Sequence, residues 1–482
     1  MANFISHPSS KLKNLQQMNE KTIFKNFVLF SDEETFVAFH IPTSKIFRLN
    51  KMSFNIISCL KEGKDNEYVR NLFNISQHDI QHLIYKLENL IVNFNRSKSI
   101  NCPSSIDRIT IHVANDCNLA CSYCYGKGGT YNRERKLMTK KTAKDLVKFI
   151  KNTFQKIDSI VFFGGEPLMN YKVIQTFCEE FRKDSNRFSE TEFGIITNGT
   201  FLNSEIIQLI NNHINTVVVS IDGPKEVNDL LRKHKNGIGS FNKIDRFIKS
   251  IKSETNTLVK YEATYTKTHQ EFGCSKNDIR MFLHNKYNIV GSIVDEMMLD
   301  SYEERSPDVN TFSVSELIFD EENMKHIDYN TLEHIYSIAK GYKREMCKIG
   351  TKMIAVTTEG EFVPCHILLN VENFSLGSIY SKNIFNDKDY FMDKFPFLST
   401  ILKNSEPCTS CWAKNLCGGC ALSWYYDFKT NRFLNEPHSK LCASSKEYFK
   451  GVILNLATIQ GNKEKYNSFV NFMRKETKIE LC

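Results

Sequence analysis

The sequence predicts an α/β protein: a parallel sheet of strand–helix units over residues 106–340, a small module before it at 23–95, and a cysteine-rich region after it at 341–450. Three observations lead there. Apolar runs alternate with helical patterns through the middle of the chain, the pattern of a parallel sheet with crossover helices. Short strands followed by three helical patterns crowd into the first 95 residues. Ten of the fifteen cysteines fall into groups with ligand-like intervals, seven of them after residue 346.

At 482 residues the chain exceeds one ordinary domain. Its 41% hydrophobic and 24% charged residues exclude a disordered or fibrous protein. The first 22 residues mix Asn, Ser, Lys and Gln and lack the apolar stretch of a signal peptide. No run of 18 apolar residues occurs, so a cytoplasmic protein without membrane contact is expected. A reducing cytosol does not sustain a disulfide framework, so grouped cysteines point to metal binding or catalysis. Cys59, Cys102, Cys178, Cys274 and Cys482 are scattered. The formal charge of +8 does not mark a nucleic-acid binder, because Lys and Arg are spread along the chain with no aromatic-interleaved stripe.

In the first module, Phe27–Phe30 and Phe36–His40 flank Ser31-Asp32-Glu33-Glu34, a hairpin pattern. Phe47–Asn50 follows, then Phe54, Ile57 and Leu60 at helical spacing, a helix near Glu67–Phe73, and a third after Ser76 with Ile80, Leu83, Ile84, Leu87 and Leu90 on one face. Strands and then three helices predict a winged-helix-like module, joined to the rest by a polar linker at Asn95–Ser105. Strands are next expected at Ile109–Val113, Ser159–Phe163, Phe193–Thr197, Val217–Ile221 and Lys260–Thr266, with helices such as Lys141–Phe154, Lys172–Arg182 and Ser204–Asn211 between them. Six such units could close partly into a barrel, with functional residues on loops after the strands. Residues 295–322 are acidic and read as a solvated loop or a contact for a basic partner. Residues 451–482 form a helical tail.

Directly after the first of these strands comes Cys117-x3-Cys121-x2-Cys124. Three thiolates on one loop can cap three irons of a [4Fe–4S] cluster and leave the fourth bare; a zinc knuckle or three unrelated buried cysteines are the plainer readings. With Tyr123 before the last cysteine, the motif resembles the signature of the radical S-adenosylmethionine (SAM) superfamily. That resemblance implies a partial (β/α)6 barrel and a bare iron that chelates the amino and carboxylate groups of SAM. It also implies a cluster electron that splits SAM into methionine and a hydrogen-abstracting 5′-deoxyadenosyl radical. Gly164-Gly165-Glu166-Pro167, after the next strand, is similar to the family's motif for the SAM amino group, with the alternative of a simple turn. Thr197-Asn198-Gly199 and Ser220-Ile221-Asp222-Gly223 resemble family positions at the SAM ribose, with Asn198, Ser220 and Asp222 as polar candidates and plain turns as the alternative. Arg232 lies where relatives place an Arg near the SAM carboxylate; a surface Arg in a helix is the ordinary case.

The later cysteines are Cys347, Cys365, Cys408-x2-Cys411-x5-Cys417-x2-Cys420 and Cys442. Seven thiols exceed the need of one zinc, and one or two zinc ions remain the alternative. The arrangement resembles the SPASM extension of radical SAM peptide-modifying enzymes, which holds two auxiliary [4Fe–4S] clusters. The resemblance assigns Cys347, Cys365 and Cys420 to the first and Cys408, Cys411, Cys417 and Cys442 to the second. The family's interval before the fourth grouped cysteine is three residues; Gly418-Gly419 gives two here. Seven cysteines are one short of two full ligand sets, and the first set is expected to be incomplete, its bare iron free for a substrate thiolate.

Residues 23–95 look like the leader-peptide recognition element of peptide maturases, which binds its leader as an added strand. Together these resemblances imply a maturase of a ribosomally made precursor peptide, supplied with electrons by a flavodoxin or ferredoxin. A Cys thioether cross-link, as in sactipeptide and ranthipeptide maturation, is the expected product. Carbon–carbon cross-linking or another peptide oxidation is the second expectation. Formylglycine formation by an anaerobic sulfatase maturase is a third; those enzymes carry an Asp where this chain has His366. A plain iron–sulfur carrier would not need the SAM motifs.

Overall fold

Alternation within the first strands divides their residues between two different cores. In the computed structural model, β1 (Phe27–Ser31), β2 (Phe36–His40) and β3 (Lys45–Leu49) form an antiparallel meander in that order. The turn after β1 is held by Asp32, whose Oδ1 accepts from the Thr35 N–H at 2.6 Å and the Glu34 N–H at 3.0 Å. Helices follow at Lys51–Lys61, Asn66–Phe73 and Gln77–Val92. Asn50 caps the first, accepting from the Ser53 N–H at 2.7 Å. Phe27, Ala38, Ile56, Ile57, Leu60, Val69 and Ile80 close the module's own core. The alternate residues Phe30, Val37 and Phe39 face the other way, into a core shared with the helix Ser439–Gln460. Each fully buried side chain of this size contributes roughly 1.5–3 kcal/mol.

The main sheet contains β4 (Ser105–Ala114), β5 (Lys156–Gly164), β6 (Glu192–Thr197), β7 (Thr216–Ser220), β8 (Leu258–Tyr265) and β9 (Gly291–Asp295), all parallel and neighbours in sequence order. The five expected strands are present. β9 is the one the apolar pattern missed, because Gly291-Ser292-Ile293-Val294-Asp295 holds only two apolar residues between Gly and Asp. Crossover helices cover one face. The helix Lys140–Thr153 is typical: Thr139 caps it at 3.0 Å to the Thr142 N–H, and Ala143, Leu146, Val147 and Ile150 are buried. Ile109, Ile111 and Val113 of β4, Phe162 of β5 and Val217 and Val219 of β7 pack into this helix-covered core.

The structure describes residues 24–92, 105–183, 186–296, 324, 329–344, 347–370, 374–381, 384–385, 406–418, 420–427, 430 and 432–480. The linker up to residue 104, most of the acidic stretch, Cys102, Gly419 and Cys482 lie outside them.

The later strands extend the same sheet. β10 (Met353–Val356) pairs parallel with β4, Ile354 opposite Ile109. β11 (Glu361–Val363) and β12 (Gly377–Ser378) add antiparallel beyond it, so the sheet runs from β12 to β9 and is open. The cysteine-rich region is therefore joined to the parallel strands by backbone hydrogen bonds, not only by a linker. The helical tail begins earlier than residue 451: one helix spans Ser439–Gln460 and a second Lys463–Glu480. Among the described residues no helix is long and apolar enough to cross a membrane.

Candidate active site

On the face of the sheet away from the helices, residues alternate with the core positions: Arg108, Thr110 and His112 on β4, Phe163 on β5, Ser220 on β7, and Lys260, Glu262 and Thr264 on β8. Glu262 is within electrostatic reach of Arg108 and Arg232. On a flat sheet β8 would stand about 19 Å from β4, four spacings of about 4.8 Å. A curled sheet accounts for the approach. Burial pushes the Glu262 carboxyl up.

The loop after β4 carries Cys117, buried, with Cys121 and Cys124 half-buried, and none of the three is in a disulfide. Cys117 Sγ accepts from the Leu119 N–H at 3.4 Å and the Asn198 amide at 3.6 Å. Burial pushes its thiol up to about 12, with Glu166 adding to the shift and the Leu119 N–H opposing it. Asp116 anchors the loop: it accepts from the Cys117 N–H at 2.8 Å and pairs with Arg135 and Lys235.

Gly164 and Gly165 are where β5 meets this loop. The Gly165 N–H donates to Ala114 O at 2.8 Å and the Glu166 N–H to Asp116 O at 2.9 Å. A Cβ on Gly165 would lie 2.2 Å from Asp116 O, and one on Gly164 2.3 Å from Ala114 O. What approaches these glycines closely is therefore the backbone at the end of β4 and of the cysteine loop. Glu166 is fully buried. Its Oε1 accepts from Leu168 N–H (2.9 Å) and Thr197 Oγ1 (2.7 Å), its Oε2 from Asn198 N–H (2.7 Å). Burial raises its carboxyl to about 7 against the pull of these donors. Pro167 opens the single turn Pro167–Asn170.

Asn198 and Asp222 are both turned toward the cysteine loop. Asn198 Nδ2 also donates to Asn118 Oδ1 at 2.9 Å. The Tyr123 hydroxyl donates to Asp222 Oδ2 at 2.6 Å, Thr264 N–H to Oδ1 at 3.0 Å, and the Arg232 guanidinium lies 3.8 Å from Oδ2 and contacts the Tyr123 hydroxyl. Arg232 is buried at the end of the helix Lys225–Leu231, not a surface residue, and its Nε has no partner among the described residues. Burial alone would discharge it, but Tyr123, Cys121 and Asp222 outweigh that and hold it charged. Ser220 is half-buried at the end of β7 beside Glu262.

The seven later cysteines separate into two neighbourhoods. Cys347, Cys365 and Cys420 are mutual electrostatic neighbours, and Cys417 has Cys408, Cys411 and Cys442 around it. Cys274 has Asp278 as its charged neighbour and belongs to neither. Among the described residues no three His, Cys, Asp or Glu converge as ligands of a single metal ion; cluster thiolates cap separate irons and stand further apart. Tyr125, one residue after Cys124, is within reach of Cys124, Cys365 and Glu262, and so stands between the first loop and the Cys365 group.

Residues 111–269 match the family model described as the Radical SAM superfamily. The chain is a radical SAM enzyme. Over 435 residues it is 22% identical to the radical SAM cyclopropyl synthase TigE of Paramaledivibacter caminithermalis, covering 81% of this chain and 87% of that one. It is 24% identical over 367 residues to a cysteine-type anaerobic sulfatase-maturating enzyme of Clostridium perfringens, covering 73% of this radical SAM chain and 97% of the relative. The fold is similar to that of native anSMEcpe with bound AdoMet, with a TM-score of 0.57, 21% identity, and coverage of 74% and 100% of the two chains.

Sequence reasoning passed over Gly129, Tyr131 and the inner-face residues. A Cβ on Gly129 would lie 2.7 Å from Cys117 Cβ, and the Tyr131 hydroxyl donates to Gly164 O at 3.0 Å. The signal for the inner face was legible: Arg108, Thr110 and His112 alternate with Ile109, Ile111 and Val113, as do Lys260, Glu262 and Thr264 with apolar neighbours.

Proposed function

We propose that this radical SAM enzyme modifies a ribosomally made precursor peptide, most simply by joining a Cys sulfur to a carbon as a thioether. Cys117, Cys121 and Cys124 would hold a [4Fe–4S] cluster; the two N–H donors aimed at the Cys117 sulfur suit a thiolate, the form such a cluster takes. Bound together, cluster and SAM supply one-electron cleavage to methionine and a 5′-deoxyadenosyl radical that takes a substrate hydrogen. Glu166 would receive the SAM ammonium, Arg232 its carboxylate, and Ser220 the ribose, with Gly164, Gly165, Pro167 and Thr197 shaping that pocket. Asn198 and Asp222 serve it by fixing the cysteine loop.

The two later thiol groups are read as a SPASM extension with two auxiliary clusters, and β1–β3 with their three helices as a winged-helix-like recognition element. Edge strands β1 and β3 would offer a leader peptide a ladder to extend. The observation that carries this reading is convergence: the three-thiol loop, Glu166 and Arg232 meet at one end of the sheet, and the Cys365 group stands beside the same inner face through Tyr125. Similarity to a cyclopropyl synthase across most of the chain favours carbon–carbon bond formation as the second reading.

The test is replacement of each of Cys117, Cys121 and Cys124 by Ala in anaerobically reconstituted enzyme. 5′-Deoxyadenosine formation with dithionite should vanish, and iron should fall from about twelve to about eight per chain. Retained SAM cleavage would refute the assignment. Incubation with a Cys-containing peptide encoded beside the gene then distinguishes thioether from carbon–carbon products, because only the former consumes the thiol.

A further inference from the structure

The second thiol group lies at a seam between two hydrophobic cores. Cys408 packs against the core of the main sheet, whereas Cys411 and Cys417 pack against the core that takes in Phe30, Val37 and Phe39 of the N-terminal meander. Trp412, between Cys411 and Ala413, meets the Phe30 ring edge-on at 4.9 Å and the Phe39 ring at 6.0 Å. Three residues on, the Asn415 amide donates to Ile41 O at 2.5 Å, at the end of β2. The fourth thiol arrives from another direction. Cys442 sits in the first turn of the helix Ser439–Gln460, whose later residues Phe449, Val452, Ile453 and Leu456 pack in the core shared with the meander. Farther along that helix Thr458 Oγ1 lies 3.2 Å from Thr35 Oγ1. Among the described residues, both segments that supply this group's thiols therefore touch residues 24–92, in a core that the helices Tyr329–Ala339 and Lys463–Glu480 also enter.

We infer that the Cys408, Cys411, Cys417 and Cys442 group is the mount of the N-terminal module, so that metal occupancy of this group and docking of residues 24–92 stabilise each other. The inference rests on the reading of this group as a metal site and goes beyond it in assigning what the site does. The linkage follows from mass action. A metal held by thiols on both the Cys408–Cys417 loop and the helix fixes their relative placement, and that placement is the surface the meander needs. Reciprocity requires that a docked module raise the affinity of this group for its metal by the same factor. This group would then act on peptide recognition without touching substrate, while the Cys365 group faces the inner side of the sheet.

Amide hydrogen exchange on the reconstituted full-length enzyme tests one direction. Cys411→Ser and Cys442→Ser should each lose about four irons per chain and raise exchange in residues 27–40 at least tenfold, with residues 105–197 unchanged. Exchange unchanged after that iron loss overturns the linkage but leaves the metal assignment standing. A wild-type chain that binds no iron at this group overturns both. The other direction uses Phe30→Ala and Asn415→Ala, which keep every cysteine. Iron equivalent to one cluster should be lost to a competing chelator at equilibrium at a chelator concentration at least tenfold lower than in wild type, the Cys117 cluster being unaffected by its SAM-cleavage signal. Identical iron retention across the chelator titration overturns the inference even if the cysteine variants fold poorly.

Discussion

Replacing Gly165 by Ala should uncouple β5 from the cysteine loop. The added Cβ would lie 2.2 Å from Asp116 O, 2.6 Å from Asp116 C and 2.8 Å from Gly129 Cα. All three are backbone atoms, so no side chain can swing away. Carbon atoms in contact sit about 3.5 Å or more apart, so the loop must retreat by roughly 1 Å. Forced overpacking of this kind costs about 1–3 kcal/mol, and the retreat also stretches the Glu166-to-Asp116 hydrogen bond and moves Cys117. Two other glycines separate space from backbone strain. Gly128 has a φ of +69° with nothing within 4 Å of its Cβ, so Gly128→Ala isolates left-handed strain of about 1 kcal/mol. Gly194, on β6, offers ordinary contacts from 3.5 Å outward, and Gly194→Ala should be neutral within about 1 kcal/mol. Melting of the three variants should fall in the order Gly194→Ala, Gly128→Ala, Gly165→Ala, the last by roughly 3–10 °C. Only Gly165→Ala should lower the iron held by the Cys117 loop. A Gly165→Ala protein that melts and binds iron like Gly194→Ala would refute the close approach on which the site's geometry depends.

Tyr123→Phe removes the hydroxyl between Asp222 and Arg232, leaving a guanidinium whose Nε already lacks a partner among the described residues. Loss of stability of about 1–3 kcal/mol and weaker SAM binding by equilibrium dialysis are expected, and a silent variant would contradict the network. His40 and His334 are lowered from 6.5 to about 4 and about 3 by burial, helped by Lys45 and Arg344. Both stay neutral when folded and take protons when unfolded below pH 6.5, so their contribution is complete above that pH and shrinks as pH falls toward 4. A melting temperature that falls no more steeply over this range in wild type than in His334→Gln would count against it. Finally, one auxiliary cluster should show an iron open to an added thiol in electron-nuclear double resonance; full protein ligation of both would exclude that feature.

The fold's order of elements was legible because apolar period and turn chemistry are local. Five strands, their crossover helices, the Asp32 turn and the Asn50 cap all follow from short-range signals. What was not legible is long-range. Nothing within residues 353–363 announces that β10 will pair with a strand 245 positions earlier, Ile354 against Ile109, or that Phe30, Val37 and Phe39 face a foreign helix instead of their own. At the site, the cysteine spacing and Glu166 could be located but not the direction in which neighbours turn. Asn198 and Asp222 are polar residues after strands whichever partner they choose, and their choice of the cysteine loop is set by packing. Arg232 could be nominated only by resemblance, with a surface Arg as the alternative, because burial of a charge depends on Tyr123 and Asp222, which are not its neighbours in sequence.

The parallel pairing of β10 with β4 bears on how such enzymes can be recombined. β4 runs into Cys117, and the hairpin of β10 and β11 runs into Cys365, so two thiol groups are indexed to each other by the ladder that sets Ile354 against Ile109 and Val356 against Ile111. A chimera that takes its last third from a relative must therefore match that ladder. A slip of one residue at the junction would turn Ile354 and Val356 out of the core and carry Cys365 along the sheet by about 3.3 Å. A graft between these enzymes is strand replacement at the edge of a shared sheet, and its tolerance will be set in register, not in linker length.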